Sequence, residues 1–356
     1  MLTFIISYFS IPLLQKIALR YNIIDTPNHR KKHKVPTPLL GGIAIWGSLT
    51  FVVILHVIIV IIFRAYIEEK SHFLPYLAFY ATNATHIIVE ILAFIICGFL
   101  VMIIGLVDDL WEISIAKRII LETVVALIIV AMGFQPELYF LPKSLMWVVT
   151  IIWIVGIINA FNLLDGANGL ASGVGMIAAS LLSVVMFLGN QPLLGILLIT
   201  LFASTLGFFR YNFPKASIFM GSTGSMFIGY VLSVVTILAT FMINGVSSYF
   251  ALLIPIGILG IPIYDTSSVI LIRIIRKKSV VRADQNHLIH RLISRGCKMN
   301  KAVLYIYLFT FCSGVSTIFF LNASILRCIM ISIAIIGIYS FLFIFERFIL
   351  NHNDKY

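Results

Sequence analysis

The sequence predicts an all-α fold, a polytopic membrane helix bundle of about 11 (10–11) spans, and three observations predict it. The first is composition: 61% of the 356 residues are hydrophobic and only 11% charged, with a mean hydropathy of +1.08. Soluble domains run at about half apolar and about a quarter charged. The second is the recurrence of apolar runs near the ~20 residues that a helix needs to cross a bilayer. Backbone groups in lipid must satisfy one another within a segment, so such runs are helices rather than strands. The third is the sorting of charge between the connecting loops.

The apolar runs fall at approximately 1–19, 40–63, 86–107, 119–134, 145–161, 169–189, 192–209, 223–243, 249–272, 302–321 and 326–348. They form one integral-membrane domain over residues 1–356. The first run has no basic residue before it and no small-residue cleavage site after it. It leads directly into Gln15, Lys16 and Arg20, so it reads as a retained helix and not as a signal peptide. The cysteines, Cys97, Cys297, Cys312 and Cys328, have no paired spacing that would suggest a disulfide framework or a zinc site. Threading eleven spans places loops 20–39, 108–118, 159–168, 210–222, 273–301 and the C-terminus on one side. That side carries 21 of the 25 Lys and Arg. By the positive-inside rule it faces the cytoplasm, which leaves the N-terminus outside. The net charge of +11 is thereby explained as topogenic and lipid-facing, without nucleic acid as a partner.

Five segments on the basic side carry chemistry. Residues 25–42 (DTPNHRKKHKVPTPLLGG) contain helix-stopping prolines, and Arg30 and His33 lie among cations suited to phosphate oxygens. In residues 105–118 (GLVDDLWEISIAKR), Asp108 and Asp109 end an apolar helix, where adjacent carboxylates call for a compensating cation such as Mg²⁺. Lys117 and Arg118 follow within reach of a diphosphate. Residues 159–173 (NAFNLLDGANGLASG) space Asn159, Asn162 and Asp165 by three, on one face if helical, beside glycines that allow close approach to a ligand. Within residues 210–229, Gly221, Ser222, Thr223 and Gly224 (GSTG) open a helix, which suits either a bound anion or a Ser/Thr cap. Residues 273–298 bring His287, His290 and Arg291 to helical spacing, fit for holding a pyrophosphate or moving a proton. In the span before them, Asp265 is an intramembrane acid next to Pro262.

In this order, the motifs DxPxxRKxHxxxxPxxGG, DD, NAxNxxDGxxGLA, RYNxP…FMG…GS, PxxDT and DxxHxxH resemble those of the polyprenyl-phosphate N-acetylhexosamine-1-phosphate transferases, over about residues 20–300. The resemblance is closer to the bacterial UDP-GlcNAc branch, which initiates O-antigen and teichoic-acid linkage synthesis, than to the muramoyl-pentapeptide branch. It implies a Mg²⁺-dependent transfer of N-acetylhexosamine 1-phosphate from UDP-N-acetylhexosamine to undecaprenyl phosphate, with release of UMP. The reaction would take place in a cytoplasmic cleft of the bacterial plasma membrane, in a bundle that leaves room for a homodimer.

By similarity, Asp108 and Asp109 form the catalytic acidic pair on the metal, with Asn162 a further ligand. Asp165 and Asn168 lie near the uridine, Lys117 or Arg118 at the diphosphate, and His287 and His290 at the sugar phosphate, with Arg30, His33 and Arg291 as further binding groups. Three positions depart from the family pattern: Asn168 in DGANG, Ile289 within the histidine motif, and Ser222 in FMGSTGS where the family carries a metal-binding aspartate. A hydroxyl is a weaker Mg²⁺ ligand than a carboxylate. The departure at Ser222 motivates a second reading, a member that binds nucleotide or lipid but transfers poorly. A third, transport of an anionic substrate, would spread its polar groups across both leaflets and the midplane.

Overall fold

The computed structural model describes residues 1–26, 36–63, 84–136, 142–239, 242–243, 246–247, 252–277, 286–321 and 323–348. Helices α1 (Leu2–Arg20), α2 (Gly41–Ile62), α3 (Ala84–Trp111), α4 (Ile115–Ala131) and α5 (Lys143–Leu164) are followed by α6 (Leu170–Leu188), α7 (Pro192–Asn212) and α8 (Gly221–Leu238). Then come α9 (Leu253–Ile258), α10 (Gly260–Ile275), the short α11 (Leu288–Ser294), α12 (Met299–Ile318) and α13 (Ile325–Phe348). Two antiparallel pairs, β1 (Ile24–Asp25) with β2 (Thr37–Pro38) and β3 (Met242–Ile243) with β4 (Val246–Ser247), are the strands among the described residues.

Each of the eleven apolar runs overlaps a helix. Nine of the described helices are long and apolar enough to cross a membrane, and the chain is a multi-pass membrane protein. The two runs outside that set differ for local reasons. The fourth, α4, is 17 residues long. The ninth is broken at Leu259 between α9 and α10, because Pro262 has no N–H to donate to the Ile258 carbonyl one turn back.

Helix α8 is the axis of the bundle. It packs against α2, α3, α5 and α6 and is buried on all sides, as expected of a helix without a polar stripe. Lipid gives little hydrophobic drive between helices, so close packing of small residues takes over. A Cβ on Gly42 would collide with the Gly224 backbone, and one on Gly105 would lie 2.6 Å from the Ser222 carbonyl and Thr223 Cα. These contacts bring the ends of α2 and α3 against the start of α8. The same end is stitched by hydrogen bonds from Phe219 N to the Pro38 carbonyl (2.8 Å), Gly41 N to the Phe219 carbonyl (3.0 Å) and Gly42 N to the Met220 carbonyl (3.0 Å).

Candidate active site

A cavity of about 920 Å³ opens at this end. Among the described residues its lining comes from Ile24, Asp25, Thr26 and Leu39 and from segments 108–113, 162–168, 212–222 and 290–299, all within the loops that the charge distribution assigned to one face. Five of the lining groups are carboxylates: Asp25, Asp108, Asp109, Glu112 and Asp165. No Lys or Arg lines it among the described residues, although the whole chain carries +11.

Asp108 and Asp109 are neighbours in α3 with different surroundings. Asp109 turns to the N-terminus of α8, where its Oδ1 accepts from Ser222 N (2.7 Å) and its Oδ2 from Thr223 N (3.0 Å) and Thr223 Oγ1 (2.6 Å). The anion that the GSTG helix start suits is thus the protein's own carboxylate, and it satisfies N–H groups that a helix end leaves unpaired. Gly221, at φ +68°, has no Cβ to strike the Asp109 carboxylate. Asp108 Oδ2 instead accepts from Ser222 Oγ (2.8 Å) and from Arg118 Nη1 (3.0 Å).

Behind Asp108 lies a buried polar network of Arg118, Asn159 and Glu122, of which Glu122 is absent from the sequence-based site. Arg118 Nη2 donates to Asn159 Oδ1 (3.4 Å), and Arg118 Nε lies 3.7 Å from Glu122, whose side chain is fully buried. Asn159 Nδ2 closes the ring by donating to Glu122 Oε2. The signal for Glu122 was present: it is an acid inside the fourth apolar run, and such a residue is presumed functional or paired. Arg118 therefore points into this network, while the adjacent Lys117 is solvent-exposed and outside the cavity lining.

Asn162 Oδ1 accepts from Ser222 Oγ and Ser225 Oγ, each at 3.3 Å, which puts Asp108, Asn162 and Ser222 around one point. Asp165 is the C-cap residue of α5 and lines the cavity. Burial, reinforced by the Asp109 charge, pushes its pKa up to about 7. Asn168 lines the cavity, its loop held by Gly169 N donating to Asn212 Oδ1 (2.7 Å) and Asn212 Nδ2 donating to the Ile218 carbonyl (2.9 Å). His290 reaches the same cavity over Gly166, with its Nε2 3.5 Å from where a Cβ would stand.

The remaining predicted residues lie elsewhere. His287 is buried, with Nδ1 3.1 Å from Asp265 Oδ2, while Leu288 N donates to Asp265 Oδ1 (2.6 Å). The intramembrane acid thus fastens the start of α11. Arg291 is on the far side of α11, paired with Glu346 (2.9 Å) in a second cavity. Arg30 and His33 lie outside the described residues.

The donors fit Mg²⁺. No cage of three or more Asp, Glu, His or Cys forms among the described residues, and Mg²⁺ characteristically takes one or two carboxylates and leaves its other positions to water and substrate phosphate. Asp108 and Asn162, bridged by the Ser222 hydroxyl, provide such a partial set of hard oxygens, while Asp109, expected from the sequence to share the metal, has both oxygens taken up by the start of α8.

Residues 91–240 match the model of the family described as Glycosyl transferase family 4. The chain is 31% identical over 334 residues to a probable undecaprenyl-phosphate N-acetylglucosaminyl 1-phosphate transferase of Bacillus subtilis, covering 90% of this chain and 85% of the relative. It is 29% identical to the decaprenyl-phosphate N-acetylglucosaminephosphotransferase of Mycolicibacterium smegmatis, over 89% and 80% of the two chains. It is 24% identical to the undecaprenyl-phosphate alpha-N-acetylglucosaminyl 1-phosphate transferase of Yersinia pestis, over 86% and 79%. These relatives are named as transferases, which favours neither a transporter nor an inactive member. With the motifs in family order and similarity running through almost the whole chain, this protein belongs to the polyprenyl-phosphate N-acetylglucosamine-1-phosphate transferase family.

Proposed function

We propose that this protein transfers N-acetylglucosamine 1-phosphate from UDP-N-acetylglucosamine to undecaprenyl phosphate in the bacterial plasma membrane, with Mg²⁺, at a cleft facing the cytoplasm. The N-terminus lies outside, and the lipid-linked product begins a cell-surface glycan. The observation that carries the reading is the acidic cavity. A nucleotide diphosphate and a lipid phosphate are both polyanions, and five carboxylates would repel them unless a divalent cation came between.

The lipid phosphate oxygen forms a bond to the β-phosphorus of the donor while the bond from that phosphorus to the α–β bridging oxygen breaks. UMP leaves with the bridging oxygen. Bound Mg²⁺ would neutralise phosphate charge as it builds in this displacement. The protein's own groups position and shield. Arg118 and Ser222 orient Asp108, Asp109 fixes the start of α8, and Asn162 presents its amide oxygen beside Asp108. Asp165, ionising near neutrality, is a carboxylate through which the loop 165–169 can respond to cation or nucleotide. His290 stands over that loop at the sugar-phosphate side. Arg30 and His33, which lie outside the described residues, would be further groups for binding substrate phosphate.

Membranes containing the protein, given radiolabelled UDP-GlcNAc, undecaprenyl phosphate and Mg²⁺, should form a labelled lipid and UMP, and EDTA should abolish both. Label accumulating inside sealed vesicles with no lipid product would overturn the reading in favour of transport.

A further inference from the structure

One oxygen of Asp108, Oδ2, already accepts from Arg118 Nη1 at 3.0 Å and from Ser222 Oγ at 2.8 Å. A carboxylate oxygen has about two lone-pair sites. A cation arriving at Oδ2 must therefore displace a donor. Ser222 can stay, because its hydroxyl can turn its proton to Asn162 Oδ1, 3.3 Å away. Arg118 carries the same sign of charge as the newcomer and is repelled by it.

Where a displaced Arg118 could go is fixed by the other side of its guanidinium. The residue is only 8% exposed, and a buried charge set adrift from its partner is costly. One turn further along α4, the fully buried Glu122 sets Oε1 3.7 Å from Arg118 Nε. That is an ion pair, but longer than a hydrogen bond. Both atoms are buried, and neither has a hydrogen-bond partner among the described residues. Closing the gap to a charge-assisted bond of about 2.9 Å takes a shift of roughly 0.8 Å. Glu122 itself is pinned: Asn159 Nδ2 donates to its Oε2 and also to the Val155 carbonyl (2.9 Å), while Asn159 Oδ1 accepts from Arg118 Nη2 at 3.4 Å. The guanidinium thus sits between a short contact to the cavity carboxylate and an unclosed contact to an anchored one.

We propose that Arg118 is a placeholder for the cation on Asp108, and that Glu122 is the positioning residue that receives Arg118 when the cation binds. The inference rests on the Mg²⁺ site proposed above. In the metal-free protein Arg118 balances Asp108. On loading, the cation takes over Oδ2, Nη1 leaves it, and Nε closes onto Glu122 Oε1, so that no charge is left unpaired in the interior.

The test is the Mg²⁺ concentration that gives half the maximal rise in melting temperature of the purified full chain. A hydrogen bond to a charged group is worth about tenfold in binding, so E122Q should raise that concentration roughly tenfold. E122D keeps the charge but draws the carboxylate back by one methylene, and it should raise it by a similar factor; as the milder change, it keeps the test open where E122Q does not fold. In an Arg118→Gln background nothing has to be handed over, and E122D should then have no further effect. A wild-type Mg²⁺ requirement in E122D would show that Glu122 acts through its field alone and would overturn the proposal. The same shift from E122D with and without Arg118 would overturn it as well. A Mg²⁺ response that Asp108→Asn abolishes but both Glu122 variants leave intact would sink this inference and spare the metal site. A wild-type chain whose melting temperature ignores Mg²⁺ would sink both.

Discussion

Replacing Asp109 by Asn separates the two roles that adjacent aspartates can have. The carboxylate of Asp109 accepts from two backbone N–H groups and one hydroxyl at the start of the central helix α8. Hydrogen bonds to a charged acceptor contribute about 1.5–3 kcal/mol each, and a negative charge at a helix N-terminus adds up to ~2 kcal/mol. Asparagine keeps one acceptor oxygen but turns an NH₂ group toward donors and removes the charge. The expected loss is therefore roughly 3–5 kcal/mol, after allowing for bonds that the remaining oxygen retains. At about 2 °C per kcal/mol for a large chain, the purified variant should melt some 6–10 °C lower. The discriminating measurement is the rise in melting temperature on adding Mg²⁺. Asp109→Asn should keep most of that rise, because both Asp109 oxygens serve α8. Asp108→Asn should lose it, together with on the order of 10²–10³ in transfer rate. A wild-type melting temperature for Asp109→Asn combined with loss of the Mg²⁺ response would refute the assignment and make Asp109 a direct ligand.

Three further outcomes follow from the same geometry. Ser222→Asp sets a second carboxylate against Asp108 Oδ2, which Ser222 Oγ now approaches to 2.8 Å; repulsion of about 4 kcal/mol at an effective dielectric near 20 should lower metal-free stability. Mg²⁺ should reverse that loss and raise the melting temperature by more than it does for wild type, and an equal or smaller rise would count against a metal at this point. Asp165 has its pKa raised to about 7 against 3.9 for a free side chain, so without metal its ionisation works against folding. That penalty is absent below about pH 4 and grows as pH rises to about 7, so in EDTA Asp165→Asn should become progressively more stable than wild type over that window in thermal melts; a pH-independent difference would rule this out. Glu122→Ala leaves Arg118 with Asp108 as its remaining carboxylate partner among the described residues, and breaking a buried pair in this way should cost about 3–5 kcal/mol. The readouts are a lower melting temperature and a poorer Mg²⁺ response, with Glu122→Gln, which retains the Asn159 contact, recovering part of both.

What was legible in the sequence and what was not divides along a physical line. Apolar length and the side-to-side charge bias place the helices and collect the five polar segments at one end, because both are properties of single segments in a bilayer. The break at Leu259 was signalled only by Pro262. Which atom meets which partner depends on direction, and neighbouring residues on a helix point about 100° apart. Asp108 and Asp109 therefore look alike as a pair, yet one faces Arg118 and the other the start of α8. Lys117 and Arg118 likewise look interchangeable, yet one is exposed and the other buried. The histidine segment shows how spacing misleads at a helix end. His287, His290 and Arg291 would share a face in a continuous helix, but His287 is the residue before α11, extended at φ −63°, ψ 152°, so its ring turns to Asp265 while His290 and Arg291 divide between two cavities. Ser222 is the reverse case. As a sequence departure it suggested a missing ligand. In the fold its hydroxyl bridges Asp108 and Asn162, holding in register the two oxygen donors that a cation would join.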